Sequence, residues 1–233
     1  MKTIGMIGGM SWESTQHYYR LVNERMRLVL GGLHSARCII YSVDFADVEP
    51  LQHAGRWDET GVLLADAARR LESAGAEFLV LCTNTMHKVA GAVEQATGLP
   101  LLHIADATAA AVRRTGIRTV GLLGTRFTME QEFYRGRLAD RAGLRVIVPP
   151  EEDRALVHRV IYEELCMGAI NDRSASEYLR IIAGLVHEGA EGVILGCTEI
   201  GLLVPESSAE VPLFDTTRIH AEAAADRALA GGA

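Results

Sequence analysis

Short apolar segments alternate with amphipathic ones along almost the whole chain, and this alternation restricts the fold more than any other feature. Eight apolar runs have the length of buried strands: Thr3–Ile7, Cys38–Val43, Phe78–Cys82, Leu101–Ile104, Thr119–Leu123, Leu144–Val148, Val193–Leu195 and Val211–Phe214. Seven stretches have helical periodicity: Ser14–Leu28, Trp57–Glu72, Asp106–Arg113, Met129–Leu138, Ala155–Cys166, Ala175–His187 and Thr217–Leu229. The alternation predicts an α/β fold, with parallel sheets flanked by helices.

The chain also resembles itself in three places that follow the same order in both halves. The pairs are Ile4–Gly8 with Val120–Gly124, Gly75–Glu77 with Gly189–Glu191, and Leu99–Leu101 with Val211–Leu213. The alternative is chance, since many strand–helix junctions share glycine and apolar residues. A true repeat predicts two pseudo-symmetric open parallel-sheet domains, residues 1–104 plus 212–233 and residues 105–211. We expect the active site in the cleft between them, at the carboxyl ends of the strands.

The composition and the net charge restrict the kinds of molecule that the protein is expected to bind. About half of the 233 residues are apolar and about a quarter are charged, as in an ordinary soluble protein. The net charge of −7, with no cluster of basic residues, argues against a nucleic-acid or membrane-surface partner. The first residues do not have the pattern of a signal peptide, and no apolar run has the length of a membrane span.

The four cysteines do not form a CxxC pair or a spacing typical of metal ligands. The sequence therefore predicts neither a disulfide framework nor a metal site, and it fits a reduced cytoplasmic setting. We interpret Cys38 and Cys166 as packing residues. Cys82 continues an apolar strand and has the pattern of a structural residue.

Three polar loops follow predicted strands and hold the candidate chemistry: Gly8–Trp12, Cys82–His87 and Gly196–Glu199. The first is rich in glycine but lacks both phosphate-binding patterns, GxGxxG and GxxxxGK[ST]. Its glycines fit a sharp turn or a close approach of the backbone to a ligand.

The internal repeat aligns the other two loops so that Thr83 corresponds to Cys197. Each half then presents one small proton-carrying side chain at the same strand end. Two opposed groups of this kind suit racemisation, in which one removes the α-proton and the other returns a proton to the opposite face. A thiolate can serve as the base if its surroundings lower its pKa, and we expect a following helix N-terminus to help. The alternative for Cys197 is a buried apolar residue.

Three motifs resemble the aspartate/glutamate racemase family. GCTEI (Gly196–Ile200) is similar to its second catalytic signature, NTMH (Asn84–His87) to its first, and IGMIGGMSWEST (Ile4–Thr15) to its opening strand and substrate loop. The similarity runs over nearly the whole chain in order. It implies a two-domain fold, a small amino-acid substrate, isomerase activity as an amino-acid racemase without pyridoxal phosphate or another cofactor, and a homodimer.

One departure from the family concerns catalysis. The family pattern has cysteine directly before Asn-Thr, whereas this chain has Thr83 there and Cys82 one residue earlier. The resemblance implies that Cys197 serves the L-face and Thr83 the D-face. Since a hydroxyl is a poorer acid or base than a thiol, we expect L-enantiomers to be deprotonated more readily. A neighbour could activate Thr83, or Cys82 could replace it, although a change of side-chain direction opposes the second alternative.

A second departure concerns the substrate. Aspartate-selective relatives tend to place basic residues against the distal carboxylate, and the matching positions here are the neutral Gln52 and Met167. Acidic selectivity and neutral or broad specificity therefore both remain open. The residues predicted to bind the substrate are Met10, Ser11, Gln52, Asn84, Thr85, Thr125, Thr198 and Glu199.

Two of the polar side chains have alternative roles. Glu199 either binds the substrate ammonium or orients Thr198, unless it is only a charge at a helix start. His87 either orients a catalytic group or is structural. For the whole protein, the alternatives to an amino-acid racemase are a hydantoin racemase, a maleate isomerase, or a catalytically silent amino-acid-binding protein.

Overall fold

The computed structural model describes residues 1–230, which form eight strands and eleven α-helices. The strands are β1 (Ile4–Gly8), β2 (Cys38–Ser42), β3 (Phe78–Leu81), β4 (Leu101–Leu102), β5 (Thr119–Gly124), β6 (Arg145–Ile147), β7 (Gly192–Gly196) and β8 (Leu213–Asp215). The helices are α1 (Trp12–Leu30), α2 (Phe45–His53), α3 (Trp57–Ser73), α4 (Ala90–Ala96), α5 (Ile104–Thr115), α6 (Arg126–Glu130), α7 (Glu132–Ala142), α8 (Glu151–Glu163), α9 (Asp172–His187), α10 (Ile200–Leu203) and α11 (Thr216–Ala230). Short 3-10 turns cover Thr85–Val89, Leu165–Met167 and Glu206–Ser208.

The strands form two four-stranded sheets with the same topology. The order is β2-β1-β3-β4 in one sheet and β6-β5-β7-β8 in the other, and every described pairing is parallel. β1 and β5 are thus equivalent, as are β3 and β7. The predicted α/β class with two open parallel sheets is confirmed.

The chain divides into two compact units, Met1–Ile104 with the chain from His220 onward, and Ala105–Ile219. The sequence repeat predicts boundaries after residues 104 and 211, and this division stays a prediction. Because β8 pairs with β7 and completes the second sheet, the second unit extends past residue 211. Residues 231–233, which the predicted first domain included, lie outside the described residues.

Both faces of the two central strands of the first sheet, β1 and β3, are buried, as expected when helices cover a parallel sheet on both sides. On β3, Phe78, Val80 and Cys82 pack in a cluster with α1 and α11, whereas Leu79 and Leu81 pack in a cluster with α3. This alternation continues one residue past β3 and directs the Cys82 side chain into the core.

All eight strands occur where the apolar runs predict them, but the helices differ in four places. The predicted Met129–Leu138 helix is two helices, since Gln131 is extended at φ −101° and ψ 148°. The short helices α2, α4 and α10 were not among the predicted stretches. In the part of the chain that the structure describes, no helix is long and apolar enough to cross a membrane.

Candidate active site

The loop after β1 is held by a chain of hydrogen bonds around Thr15. Gly9 has a φ of +93°, and its N–H donates to Thr15 Oγ1 over 2.8 Å. Thr15 Oγ1 in turn donates to the Ser11 carbonyl over 3.0 Å. Ser11 caps α1 by accepting the Ser14 N–H over 3.2 Å, and the Met10–Ser11 peptide bond is cis. The predicted residues Met10 and Ser11 are therefore buried in a fixed turn.

The loop after β3 lies beside this turn. Ser14 Oγ donates to the Cys82 carbonyl over 2.9 Å, which ties the start of α1 to the strand end that precedes Thr83. The predicted residues Thr83, Asn84 and Thr85 follow in sequence, and all three are buried. The first unit thus brings together two of the predicted polar loops.

Cys82 is inaccessible to solvent, and burial raises the pKa of its thiol far above the ordinary value. It packs among the core residues of the first sheet, as the sequence predicts for a structural cysteine. The core position of the Cys82 thiol favours the interpretation of Cys82 as a structural residue, and Thr83 follows it in the loop after β3.

The two residues predicted to set substrate selectivity differ in exposure. Gln52, on α2, is buried, and its Nε2 donates to Met86 Sδ over 2.8 Å. Met167 lies in a 3-10 turn of the second unit and is 76% exposed. Gln52 belongs to the same unit as the loops after β1 and β3.

In the second unit, the candidate residues follow two adjacent strands. β5 and β7 pair in register up to Gly124 and Gly196, where an added Cβ would lie 2.8 Å from a backbone oxygen of the other strand. These glycines let the strand ends approach closely, so the residues after them, Thr125 and Cys197, begin neighbouring loops. Thr125 is buried and caps α6 by accepting the Thr128 N–H over 3.3 Å.

Cys197 is 8% exposed, and its thiol forms a hydrogen bond with a carboxylate two residues away. Its Sγ donates to Glu199 Oε2 over 3.0 Å, and Thr198 Oγ1 donates to the same oxygen. All three side chains are buried. The loop therefore holds a thiol, a hydroxyl and a carboxylate in one hydrogen-bonded group, which supports the alternative in which Glu199 orients Thr198.

The expectation of a lowered thiol pKa is wrong for this arrangement. Burial raises the pKa of Cys197 well above its ordinary value, and the negative charge of Glu199 raises it further. The helix that follows, α10, has only four residues and Glu199 at its N-cap. A short helix has a weak dipole, and the adjacent carboxylate opposes its effect on the thiolate.

Ser14 and Thr15, which fix the loops, were not predicted as site residues. Both lie within the Ile4–Thr15 motif, but the hydrogen bond from the Gly9 N–H to Thr15 depends on a turn that the pattern does not reveal. Among residues 1–230, no group of three or more histidine, cysteine or acidic side chains is placed to hold a metal ion.

The profile of the Asp/Glu/hydantoin racemase family matches residues 7–224. The chain belongs to this family. Three similar proteins illustrate this match. A crystal structure from Yersinia pestis, whose proposed activity is Asp/Glu racemase, is 58% identical, covers 98% of this chain and all of its own, and superposes with a TM-score of 0.91. An aspartate racemase homologue from Pyrococcus horikoshii OT3 is 37% identical with the same coverage and a TM-score of 0.85.

The third relative is the broad specificity amino-acid racemase RacX of Bacillus subtilis strain 168. It is 24% identical over 237 residues, which cover 97% of this chain and 98% of RacX. The family that the three motifs indicate is therefore confirmed, and with it the isomerase class of this racemase.

Proposed function

We propose that this racemase exchanges the α-proton of a small amino acid by a two-base mechanism without a cofactor, with Cys197 and Thr83 acting on opposite faces. The observation that carries the proposal is the buried Cys197 thiol at the end of β7, hydrogen-bonded to Glu199. Aspartate and glutamate are the first substrates to test, because the names of the relatives from Yersinia pestis and Pyrococcus horikoshii point to them.

Glu199 supplies the proton acceptor that the buried Cys197 thiol needs before it can act as a base. As the thiol gives its proton to Glu199 Oε2, the resulting thiolate takes the α-proton of the L-enantiomer. The electron pair left on the α-carbon is delocalised into the substrate carboxylate. The 3.0 Å contact between Sγ and Oε2 supports this transfer, since general acid–base catalysis requires partners within hydrogen-bond reach.

Thr83 then returns a proton from its hydroxyl to the opposite face. The alkoxide takes a proton back from solvent, and Glu199 releases to solvent the proton that it accepted. Within residues 1–230 no side chain hydrogen-bonds to that hydroxyl, so nothing described there activates it as a base. Donating a proton to a carbanion is easier for an alcohol than removing one from carbon. The proposal therefore assigns faster deprotonation to the L-enantiomer than to the D-enantiomer.

The remaining predicted residues would hold the substrate. Hydroxyl and amide groups suited to a carboxylate or an ammonium lie on the buried loops of each unit: Ser11, Asn84, Thr85, Thr125 and Thr198, with Met10 beside them. Gln52 would contact the substrate side chain through a neutral amide. A neutral contact lacks the charge-assisted part of carboxylate recognition, which agrees with the broad specificity named for RacX.

A second candidate is an amino-acid-binding protein without catalysis. The raised pKa of Cys197 and the isolated hydroxyl of Thr83 favour it, because neither group is ionised as it stands. Such a protein would bind an amino acid and leave its α-proton in place.

The two candidates are distinguished by incubating the protein with L-aspartate, L-glutamate and several neutral L-amino acids in deuterated water. We expect α-deuteration that Cys197→Ala abolishes and that Cys38→Ala leaves unchanged, since Cys38 is the first residue of β2 and lies at the opposite end of the strand from the loops. Binding without deuteration of any substrate would favour the silent binding protein. Deuteration that persists in Cys197→Ala would contradict the role of Cys197.

We also propose that the protein is cytoplasmic and forms a homodimer. All four cysteines are free, which fits a reducing compartment. Large apolar side chains at the end of α1 and just after it are exposed, among them Leu28 at 76% and Leu33, and they support self-association. Sedimentation equilibrium tests the dimer, and a monomer at micromolar concentration would contradict it.

A further inference from the structure

His87 lies three residues after Asn84, in the 3-10 turn that closes the loop after β3. Its ring is buried and forms hydrogen bonds on both sides. Nδ1 lies 2.8 Å from the Thr83 carbonyl oxygen, and the Ile104 N–H lies 3.2 Å from Nε2. The side chain therefore links the loop to the start of α5.

These contacts determine the protonation state of the ring. A carbonyl oxygen only accepts, so Nδ1 carries a hydrogen and donates it to Thr83. A backbone N–H only donates, so Nε2 has a free electron pair and accepts from Ile104. His87 is accordingly a neutral imidazole of the Nδ1–H tautomer.

The neighbouring rings have a matching arrangement. His220 Nε2 donates to the Leu102 carbonyl over 2.8 Å, and its Nδ1 accepts from Tyr18 Oη over 2.8 Å. The centroid of His87 lies 4.4 Å from that of His103 and 5.8 Å from that of His220. His87 is thus packed on two sides by other imidazoles, which restrict the position of its ring.

The carbonyl that His87 contacts belongs to the peptide unit between Thr83 and Asn84. Holding that unit restrains ψ of Thr83 and φ of Asn84, and with them the direction of the Thr83 Cα–Cβ bond. The His87 backbone N–H also bonds to the Asn84 carbonyl over 3.1 Å. One residue therefore holds the two successive carbonyls that follow the strand end.

We propose that His87 is a positioning residue, which keeps the Thr83 hydroxyl aimed at the substrate through the hydrogen bond from Nδ1. This role of His87 rests on the proposed function. It distinguishes two reactions that the proposed function includes. Inversion of an L-substrate requires Thr83, whereas deuterium exchange with retention requires only Cys197, which loses its proton to solvent and returns a deuteron to the same face. His87 should then control inversion more than exchange with retention.

Two substitutions divide the contacts of His87 between them. The amide nitrogen of asparagine reaches nearly the position of Nδ1, so His87→Asn keeps a donor for the Thr83 carbonyl and loses the Ile104 contact. The longer glutamine reaches the position of Nε2, so His87→Gln keeps an acceptor for Ile104 and loses the Thr83 contact. The pair therefore forms a matched control for the effect of the substitution on folding.

The test follows an L-substrate in deuterated water and measures the ratio of inverted to retained deuterated product. We expect His87→Gln to lower that ratio about tenfold, the loss of one buried hydrogen bond, and His87→Asn to keep it within about threefold of the wild type. Equal ratios in the two variants, or a lower ratio in His87→Asn, would overturn the proposal. A wild type without any exchange would instead contradict the proposed function.

A measurement on the unaltered protein covers the case in which a variant does not fold. Two-dimensional ¹H–¹⁵N spectra of the imidazole groups report which ring nitrogen is protonated. We expect His87 to have a protonated Nδ1 and an unprotonated Nε2 at neutral pH. The opposite tautomer would remove the donor to Thr83 and overturn the proposal.

Discussion

The Sγ atom of Cys197 donates a hydrogen bond to Oε2 of Glu199 over 3.0 Å, within a loop where both side chains are buried. The carboxylate lies close enough to take the thiol proton, and its charge discourages the thiolate from persisting without substrate. In the proposed mechanism, this contact allows a thiol with a raised pKa to serve as a base. Substitution of Glu199 tests both the proton transfer and the electrostatic effect.

Glu199→Gln removes the proton acceptor while it keeps the size of the side chain. We expect the rate of α-proton exchange from the L-substrate to fall about a hundredfold, within the usual range for loss of a general base. Deuterium incorporation measured by NMR checks the rate. Glu188→Gln, an exposed position after α9, is the matched control. A Glu199→Gln enzyme as fast as that control would show that the carboxylate takes no part in proton transfer.

The same substitution should affect the thiol in the opposite direction. Because the charge of Glu199 helps to raise the pKa of Cys197, Glu199→Gln should lower that pKa, although burial keeps it above the ordinary value. We expect iodoacetamide to label Cys197 slowly in the wild type, at a rate still rising at about pH 9, and faster in the variant at pH 8. Site-resolved mass spectrometry measures the labelling. Slower labelling in the variant would contradict the electrostatic role.

Thr83→Cys restores a thiol at the position that faces the D-enantiomer in the proposal. A thiol ionises far more readily than an alcohol, so exchange from the D-substrate should rise about tenfold or more. Thr83→Val, which has nearly the same shape without the hydroxyl, should abolish inversion and spare exchange of the L-substrate with retention. Chiral chromatography of the products measures both. Unchanged inversion in Thr83→Val would remove Thr83 from the mechanism.

His220 should make stability depend on pH. Burial lowers the pKa of His220 to about 4, from an ordinary value near 6.5. A depressed pKa means that the unfolded chain binds the proton first, so this stability is complete above about pH 6.5 and is lost as the pH falls towards about 4. The loss should be on the order of 3 kcal/mol. Urea unfolding between these pH values measures it, and His220→Gln should show a smaller decline. An equal decline in the free energy of unfolding with falling pH in the wild type and in His220→Gln would contradict the assignment of this pH dependence to His220.

Gly9 should be intolerant of any side chain. Its φ is +93°, and an added Cβ would lie 2.1 Å from the Val43 carbonyl oxygen. We expect Gly9→Ala to lower the free energy of unfolding by about 2 kcal/mol or more, because backbone must move. Gly91→Ala is the control, since it lies in α4 with open space around it, and it should raise stability by about 0.5–1 kcal/mol. Equal changes in the free energy of unfolding for Gly9→Ala and Gly91→Ala, measured by chemical denaturation, would contradict this steric constraint.

The central strands β1, β3, β5 and β7 were predictable because each lies in a short apolar run whose residues are almost all buried. Helix α2 was missed because Pro50 lies inside it, and a proline normally marks a helix boundary. The break between α6 and α7 at Gln131 was missed because the helical spacing of apolar residues continues on both sides of this extended residue. These errors concern local conformation that tertiary packing decides.

The residues assigned to the candidate site stay a prediction from the repeat and the motifs, whereas the electrostatics of the site could not be predicted from the sequence. The repeat aligned Thr83 with Cys197, and both follow equivalent strands. The side-chain alternation also predicted that Cys82 belongs to the core. The direction of the Cys197 pKa could not be predicted, since it depends on burial and on the Glu199 contact, and the expected helix has only four residues.

The central claim is that a thiol and a hydroxyl act on opposite faces of the α-carbon. Its most direct test compares the initial rates at which the wild type exchanges the α-proton of the L- and D-enantiomers of its best substrate in deuterated water. We predict clearly faster exchange from the L-enantiomer, with the L-rate lost in Cys197→Ala. Equal rates from both enantiomers, or faster exchange from the D-enantiomer, would contradict the account.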